Sequence, residues 1–143
     1  MLLGIGPDGP FVGRRVAITG LGAVTCCGLG VAALWKGLVN PTPRGERRVP
    51  DFDPSVWFGP KEARRVDRFA QMSVAAATEA LADAGELGAD PERSGVIFAS
   101  GVGGFNSLAE QIIVSYEKGD DRVSPFLVPM MMANAGAASS APL

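Results

Sequence analysis

The chain has 143 residues, 47% hydrophobic and 20% charged, with a formal net charge of -2. This is a globular composition rather than a disordered one, and its charge balance supplies no basic field for nucleic acid. Histidine is absent, which excludes Ser-His-Asp, Cys-His and histidine-zinc chemistry from these residues alone.

The opening, Met1 to Gly13, has no positive n-region and contains Gly4, Gly6, Pro7 and Pro10, so it reads as an N-terminal extension and not a signal peptide. No apolar stretch approaches the roughly 20 residues of a membrane span. Gly13 to Gly20 then reads as a short buried strand built on Val16-Ala17-Ile18-Thr19. Gly20-Leu21-Gly22 invites a dinucleotide-binding reading, but Thr25 stands where that fingerprint needs a third glycine or alanine.

Cys26 and Cys27 are the only cysteines, which points to a cytoplasmic setting and no disulfide scaffold. Adjacent Cα atoms lie about 3.8 Å apart, too close for an unstrained bridge. The residues offer no further zinc ligands, and the pair is expected to be structural.

A helix is predicted over about Val31 to Val39, with Leu34, Trp35 and Leu38 on one face, ended by Asn40-Pro41. Prolines 41, 43, 50, 54 and 60 exclude a helix interior from the next stretch, and Phe52, Val56, Trp57 and Phe58 are expected to pin it as a surface loop. Arg44, Arg47 and Arg48, like Lys61, Arg64, Arg65 and Arg68, form small cationic clusters: a solvated surface or a docking patch for an acidic partner. The strongest helix is predicted from about Lys61 to Ala84, its stripe running through Val66, Phe69, Ser73, Ala76, Ala77, Ala80, Leu81 and Ala84, with Gly85 as C-cap.

Gly95 to Ser100 reads as a second buried strand, followed by Gly101-Val102-Gly103-Gly104. That glycine run lacks the Lys-Ser/Thr of a Walker A loop; it is either a tight strand-to-helix turn or backbone lining a substrate channel. A third helix is expected from Asn106 or Ser107 to Gly119, with Ser107 and Glu110 as a capping box and Leu108, Ile112, Ile113 and Tyr116 buried. The tail runs extended from Val123 to Pro129, then as a small-residue segment over Met130 to Ala141 that suits a tightly packed buried helix. Apolar strands separated by helices point to α/β layering with a mainly parallel sheet, and two strands leave such a sheet unfinished.

Several motifs together resemble a family. Arg14 to Thr25, Phe52-Asp53-Pro54, Lys61 to Phe69, Ala99 to Gly104 and Val123 to Met131 are similar, in order, to signatures of the elongating β-ketoacyl-(acyl carrier protein) synthases of type II systems. The resemblance implies a thiolase-like αβα layered α/β fold, of which this chain is an incomplete N-terminal half. Residues 14–143 would be the synthase N-terminal domain, stopping before the catalytic cysteine, so the chain alone carries no catalytic residue and is expected to be inactive. For a complete enzyme it implies a decarboxylating Claisen condensation in fatty-acid biosynthesis. A cysteine accepts the acyl chain, malonyl-carrier loses CO₂ to give the attacking carbanion, and two histidines stabilise the enolate oxygen.

The same resemblance implies no cofactor and no metal. Its partners are acyl carrier protein, bearing acyl and malonyl groups, and a second copy in a homodimer. Gly101, Val102 and Gly103 match a segment beside the acyl pocket, and Phe126 and Leu127 match residues near the subunit contact that close the partner's acyl tunnel. Met130, Met131 and Asn134 would join them at the dimer interface. The alternatives are a fragment of a type II polyketide ketosynthase or chain-length subunit, and a non-catalytic module binding carrier protein or a synthase partner.

Overall fold

The computed structural model describes residues 16–40, 48–49, 51–86 and 88–141. The N-terminal extension over 1–13, Arg14 and Arg15 at the start of the first expected strand, Arg44, Arg47, residues 41–47 and Pro50 of the proline-rich stretch, and Leu143 lie outside the described residues. The first elements are a two-stranded antiparallel hairpin, β1 (Val24–Thr25) and β2 (Gly28–Leu29), in register Val24 to Leu29, and then helix α1 (Val31–Val39). Five further helices follow: α2 (Pro60–Ala63), α3 (Arg68–Ala84), α4 (Phe105–Lys118), α5 (Leu127–Met131) and α6 (Ala135–Ser140).

Helix α3 organises the rest. Its alanines let other backbones come close. A Cβ on Gly20 would fall 2.1 Å from the Ala80 carbonyl oxygen, and one on Gly22 would fall 1.9 Å from that of Ala76. On another face, α6 packs along α3, where a Cβ on Gly136 would meet Ser73 Oγ at 2.8 Å. The carboxylates of α3 then hold the N-terminal loop. Asp83 accepts the Leu21 N–H at 2.9 Å, and Glu79 accepts those of Ala23 at 2.8 Å and Val31 at 2.9 Å. Val31 opens α1, so Glu79 also places negative charge at a helix N-terminus that has no side-chain cap of its own.

The core is small: Phe52, Phe58, Ala70, Val74 and Ala75. Phe52 stacks on Trp57 with centroids 5.5 Å apart, so aromatics pin the loop as its composition implies. Asp53 opens the 3₁₀ turn Pro54–Val56 by accepting the Ser55 N–H at 2.9 Å.

Three expectations are corrected. The helix expected over Lys61 to Ala84 is interrupted, because Asp67 takes an extended conformation (φ -64°, ψ 152°) to cap α3. Its buried face holds Ala70, Gln71, Val74 and Ala75, while Leu81 of the expected stripe is exposed. The two expected buried strands are extended but unpaired: Val16, Ile18 and Ile97 are 89%, 82% and 97% exposed. A strand needs a neighbour for its N–H and C=O groups, and no described residue pairs with either segment. Gly20, at the end of the first segment, nevertheless lies on α3 at Ala80, and Val96 and Ile97 of the second share a cleft of about 390 Å³ with Gly22, Ala76 and Ala80. Finally, Ser107 is a buried residue inside α4 rather than its cap, and Ile112, Ile113 and Tyr116 face outward. The apolar face of α1 is likewise open at Trp35 and Leu38. The helix ends are as expected, with Gly85 (φ 68°) closing α3 and Gly119 (φ 96°) closing α4.

Two outcomes follow for stability. Gly22→Ala should cost about 2 kcal/mol or more by overpacking against α3. Gly95→Ala, in open space, should shift stability by less than about 0.5 kcal/mol; equal denaturation midpoints for the two variants would contradict the close approach. The Ser55 backbone N–H, and secondarily the Ser55 side chain, hold the Asp53 carboxyl below its ordinary pKa. A lowered folded value means that the turn gains support above the unfolded carboxylate pKa and loses it as pH falls through the folded one. An NMR titration of Asp53 should therefore give a midpoint below that of an aspartate in an unstructured peptide.

Candidate functional site

Of the expected substrate and interface residues, Gly103, Phe126, Leu127, Met130 and Met131 come together where the α2–α3 turn, the glycine run and α5 converge. Asp67 is 4% exposed and stands at the centre. Its Oδ1 accepts the Phe69 N–H at 2.9 Å, capping α3. Its Oδ2 accepts the Ser107 hydroxyl at 2.5 Å and the Ser107 N–H at 3.2 Å, fixing the first turn of α4. One carboxylate thus serves two helix starts. Beside it, Gln71 donates its amide N–H groups to the carbonyls of Ala63 (2.8 Å) and Val66 (3.0 Å), which locks the turn between α2 and α3.

The glycines are required by proximity. Gly103 has φ 79°, and a Cβ there would fall 2.3 Å from the Met131 carbonyl oxygen. A Cβ on Gly104 would fall 2.4 Å from the Met130 carbonyl oxygen and 3.0 Å from Asp67 Oδ2. The Gly104 N–H donates to Met131 O at 3.2 Å, tying the run to α5. On the far side of α5, Gln111 Oε1 accepts the Ser124 N–H at 2.7 Å, and Ser124 Oγ accepts that of Phe126 at 3.2 Å. The Arg65 guanidinium stands 4.5 Å above the Phe126 ring, a cation–π contact that links the α2–α3 turn to the start of α5.

Two clefts open around this junction. One, of about 390 Å³, is bordered by Asp67, Arg68, Gln71, Asn106, Glu110 and Met130, among others. The other, of about 250 Å³, lies between Arg65, Pro129, Met130 and Ala138. Met130 borders both. Of the residues singled out from sequence, Gly103 and Met131 touch, and Phe126 and Leu127 begin the same helix. Gly101 and Val102 are exposed and border neither cleft, and Asn134 is exposed at the start of α6. Sequence reasoning gave no role to Asp67 or Gln71 and assigned Ser107 to a capping box rather than to Asp67. The available signal was an aspartate directly before an alanine-rich helical run, an N-cap pattern.

The arrangement can bind and shape; it offers no activated nucleophile. The hydroxyl of Ser107 is committed to a carboxylate that already caps α3. Cys26 and Cys27 lie on the turn of the hairpin, and both are exposed. Among the described residues, no group of three or more histidine, cysteine or acidic side chains could hold a metal ion. Among the described residues, no helix is long and apolar enough to cross a membrane.

The chain resembles known proteins along most of its length. Residues 41–141 match the family model described as Beta-ketoacyl synthase, N-terminal domain. The chain is 37% identical to 3-oxoacyl-[acyl-carrier-protein] synthase 2 of Synechocystis sp., over 85% of its own length and 33% of the relative's. It is 33% identical to the synthase 2 of Rhizobium meliloti, over 87% of the chain and 35% of the relative. The chain therefore spans about a third of the length of these relatives. A solved complex of a type II polyketide acyl-carrier protein with its ketosynthase superposes with a TM-score of 0.77 at 20% identity, covering 91% of this chain and 38% of that one. A β-ketoacyl synthase of Burkholderia phymatum superposes with a TM-score of 0.67 at 23% identity, covering 91% and 36%. These two likenesses establish the ketosynthase fold, and with it the αβα class, for the described residues.

The junction generates one test. Asp67→Ala should cost about 3 kcal/mol, as an N-cap and two further hydrogen bonds to a charge are lost. Ser107→Ala should cost about 1 kcal/mol. A double-mutant cycle should return a coupling of about 1–2 kcal/mol, whereas additive losses would show the contact to be idle.

Proposed function

This chain belongs to the β-ketoacyl synthase family, and from that premise we propose that it is the N-terminal portion of a 3-oxoacyl-(acyl carrier protein) synthase. Residues 14–143 form that portion. The observation that carries the reading is the family match over 41–141, with the 37% identity to a synthase 2 beside it. The protein it belongs to elongates acyl chains in fatty-acid biosynthesis by decarboxylating Claisen condensation with malonyl-carrier.

The share of these residues is support. Gly101, Val102 and Gly103 approach the acyl chain; Phe126, Leu127, Met130, Met131 and Asn134 lie at the contact between two copies. The open apolar side chains of Val102, Phe105, Val128 and Met132 favour such burial. Acyl carrier protein is the partner. The exposed cations Lys61, Arg64, Arg65 and Arg68, spread over α2, the α2–α3 turn and the start of α3, suit an acidic surface. The nucleophilic cysteine and the two imidazoles belong to residues beyond this sequence, which contains no histidine. A cytoplasmic location accords with cysteines that are free and exposed.

A type II polyketide ketosynthase is the second reading, favoured by the 0.77 superposition. The chain incubated with acyl- and malonyl-carrier should yield no 3-oxoacyl product and no acyl thioester on Cys26 or Cys27. A chimera that continues the chain with the remaining two thirds of the Synechocystis synthase should condense acyl- and malonyl-carrier once per cycle. Product from the chain alone would overturn the proposal, as would a folded, dimeric chimera without condensation. Iterated poly-β-keto products from the chimera would favour the polyketide reading.

A further inference from the structure

Cys26 and Cys27 occupy the two central positions of the turn that joins β1 to β2. They are adjacent, both exposed, and the only cysteines in the chain. The turn is held from three sides. The Cys27 N–H donates to Thr25 Oγ1 at 3.1 Å, the Gly30 N–H donates to Ala23 O at 2.8 Å, and Glu79 clamps Ala23 and Val31 at the two ends of the hairpin. The Cys27 sulfur rests on α1 at Gly37, where a Cβ would fall 2.2 Å from Sγ. Glycine at that position leaves the thiol its place on the helix surface. Two exposed cysteines thus share one short, braced turn, and neither borders the clefts around Asp67.

Their spacing selects among the chemistries open to a dithiol. Neighbouring Cα atoms sit about 3.8 Å apart across a trans peptide, short of the roughly 4.4–6.8 Å that an unstrained disulfide spans. A direct S–S bond of about 2.05 Å would therefore distort the turn. A bridging soft atom relaxes that demand, since bonds of about 2.3 Å from each sulfur, the length in zinc thiolates, set the sulfurs about 4 Å apart. Thiolates select soft ions, and the absence of a third ligand among the described residues favours a ligand content with two sulfurs.

We propose that Cys26-Cys27 is a chelating site for a thiophilic ion that bonds two thiolates, trivalent arsenic being the matching class. With an organoarsenic oxide, R–As=O, both S–H bonds break, two As–S bonds form, and the protons leave with the oxide oxygen as water. No oxidation state changes.

The probe is phenylarsine oxide, titrated anaerobically into the reduced full chain and followed by native mass spectrometry and by the thiols left to react with a chromogenic disulfide. The expected product is a single 1:1 adduct in which both thiols are blocked, reversed by a small dithiol but not by a monothiol. Cys26→Ser and Cys27→Ser should each weaken binding at least 100-fold, with circular dichroism unchanged. An adduct that survives in either single variant within threefold, or two thiols that remain free beside the reagent, would overturn the proposal.

Discussion

The backbone of Gly20 to Gly22 lies against α3 with no space for a side chain between them, and the remaining architecture is arranged around that contact. Once two main chains are this close, the apolar side chains that would normally mediate packing are displaced to other faces. The polar groups of the loop must then find partners on α3 itself. Asp83 and Glu79 provide them for Leu21, Ala23 and Val31. Small residues on α3 and carboxylates one turn apart are two halves of one solution, because buried or half-buried N–H groups without acceptors would cost more than the approach gains. The hairpin and α1 inherit their positions from it.

Asp67 does for the opposite end of α3 what Glu79 does for its middle. Its carboxylate faces two helix starts, those of α3 and α4, so positive dipole ends converge on one charge. The glycine run leading into α4 can then descend onto the carbonyls of Met130 and Met131. One buried acid thereby ties the candidate site to α3 and α4. This is why a region with few buried side chains still holds a defined loop geometry.

What the sequence disclosed follows the range of the interactions involved. Helix α1, the C-terminal glycines of α3 and α4 and the pinned aromatic loop depend on neighbours within a few positions, and local pattern found them. The break at Asp67 also had a local signature, but the alanine-rich periodicity on both sides hid it. Ser107 misled for the opposite reason. Its spacing to Glu110 fits a capping box, yet its true partner is 40 positions away, and no local rule reports that. The resemblance to the synthases located the glycine run and the Phe126–Met131 segment without revealing that Gly103 and Met131 touch. The fold class was legible from layering; the pairing of its strands was not, because a ladder is a property of two segments and only one of each pair can be read at a time.

The exposed strand-like segments can be weighed in the same terms. Val16, Ile18, Val96 and Ile97 are apolar and turned out to solvent, and burying side chains of this size is worth about 1.5–3 kcal/mol each. Their backbone groups add an unmet demand for ladder partners. Yet the first segment ends on α3 at Gly20, and the second borders a cleft on α3 beside Gly22. The helix layer of an αβα arrangement is therefore in place, and the segments of its sheet lie beside it. Relatives three times as long have further chain with which to complete such a sheet.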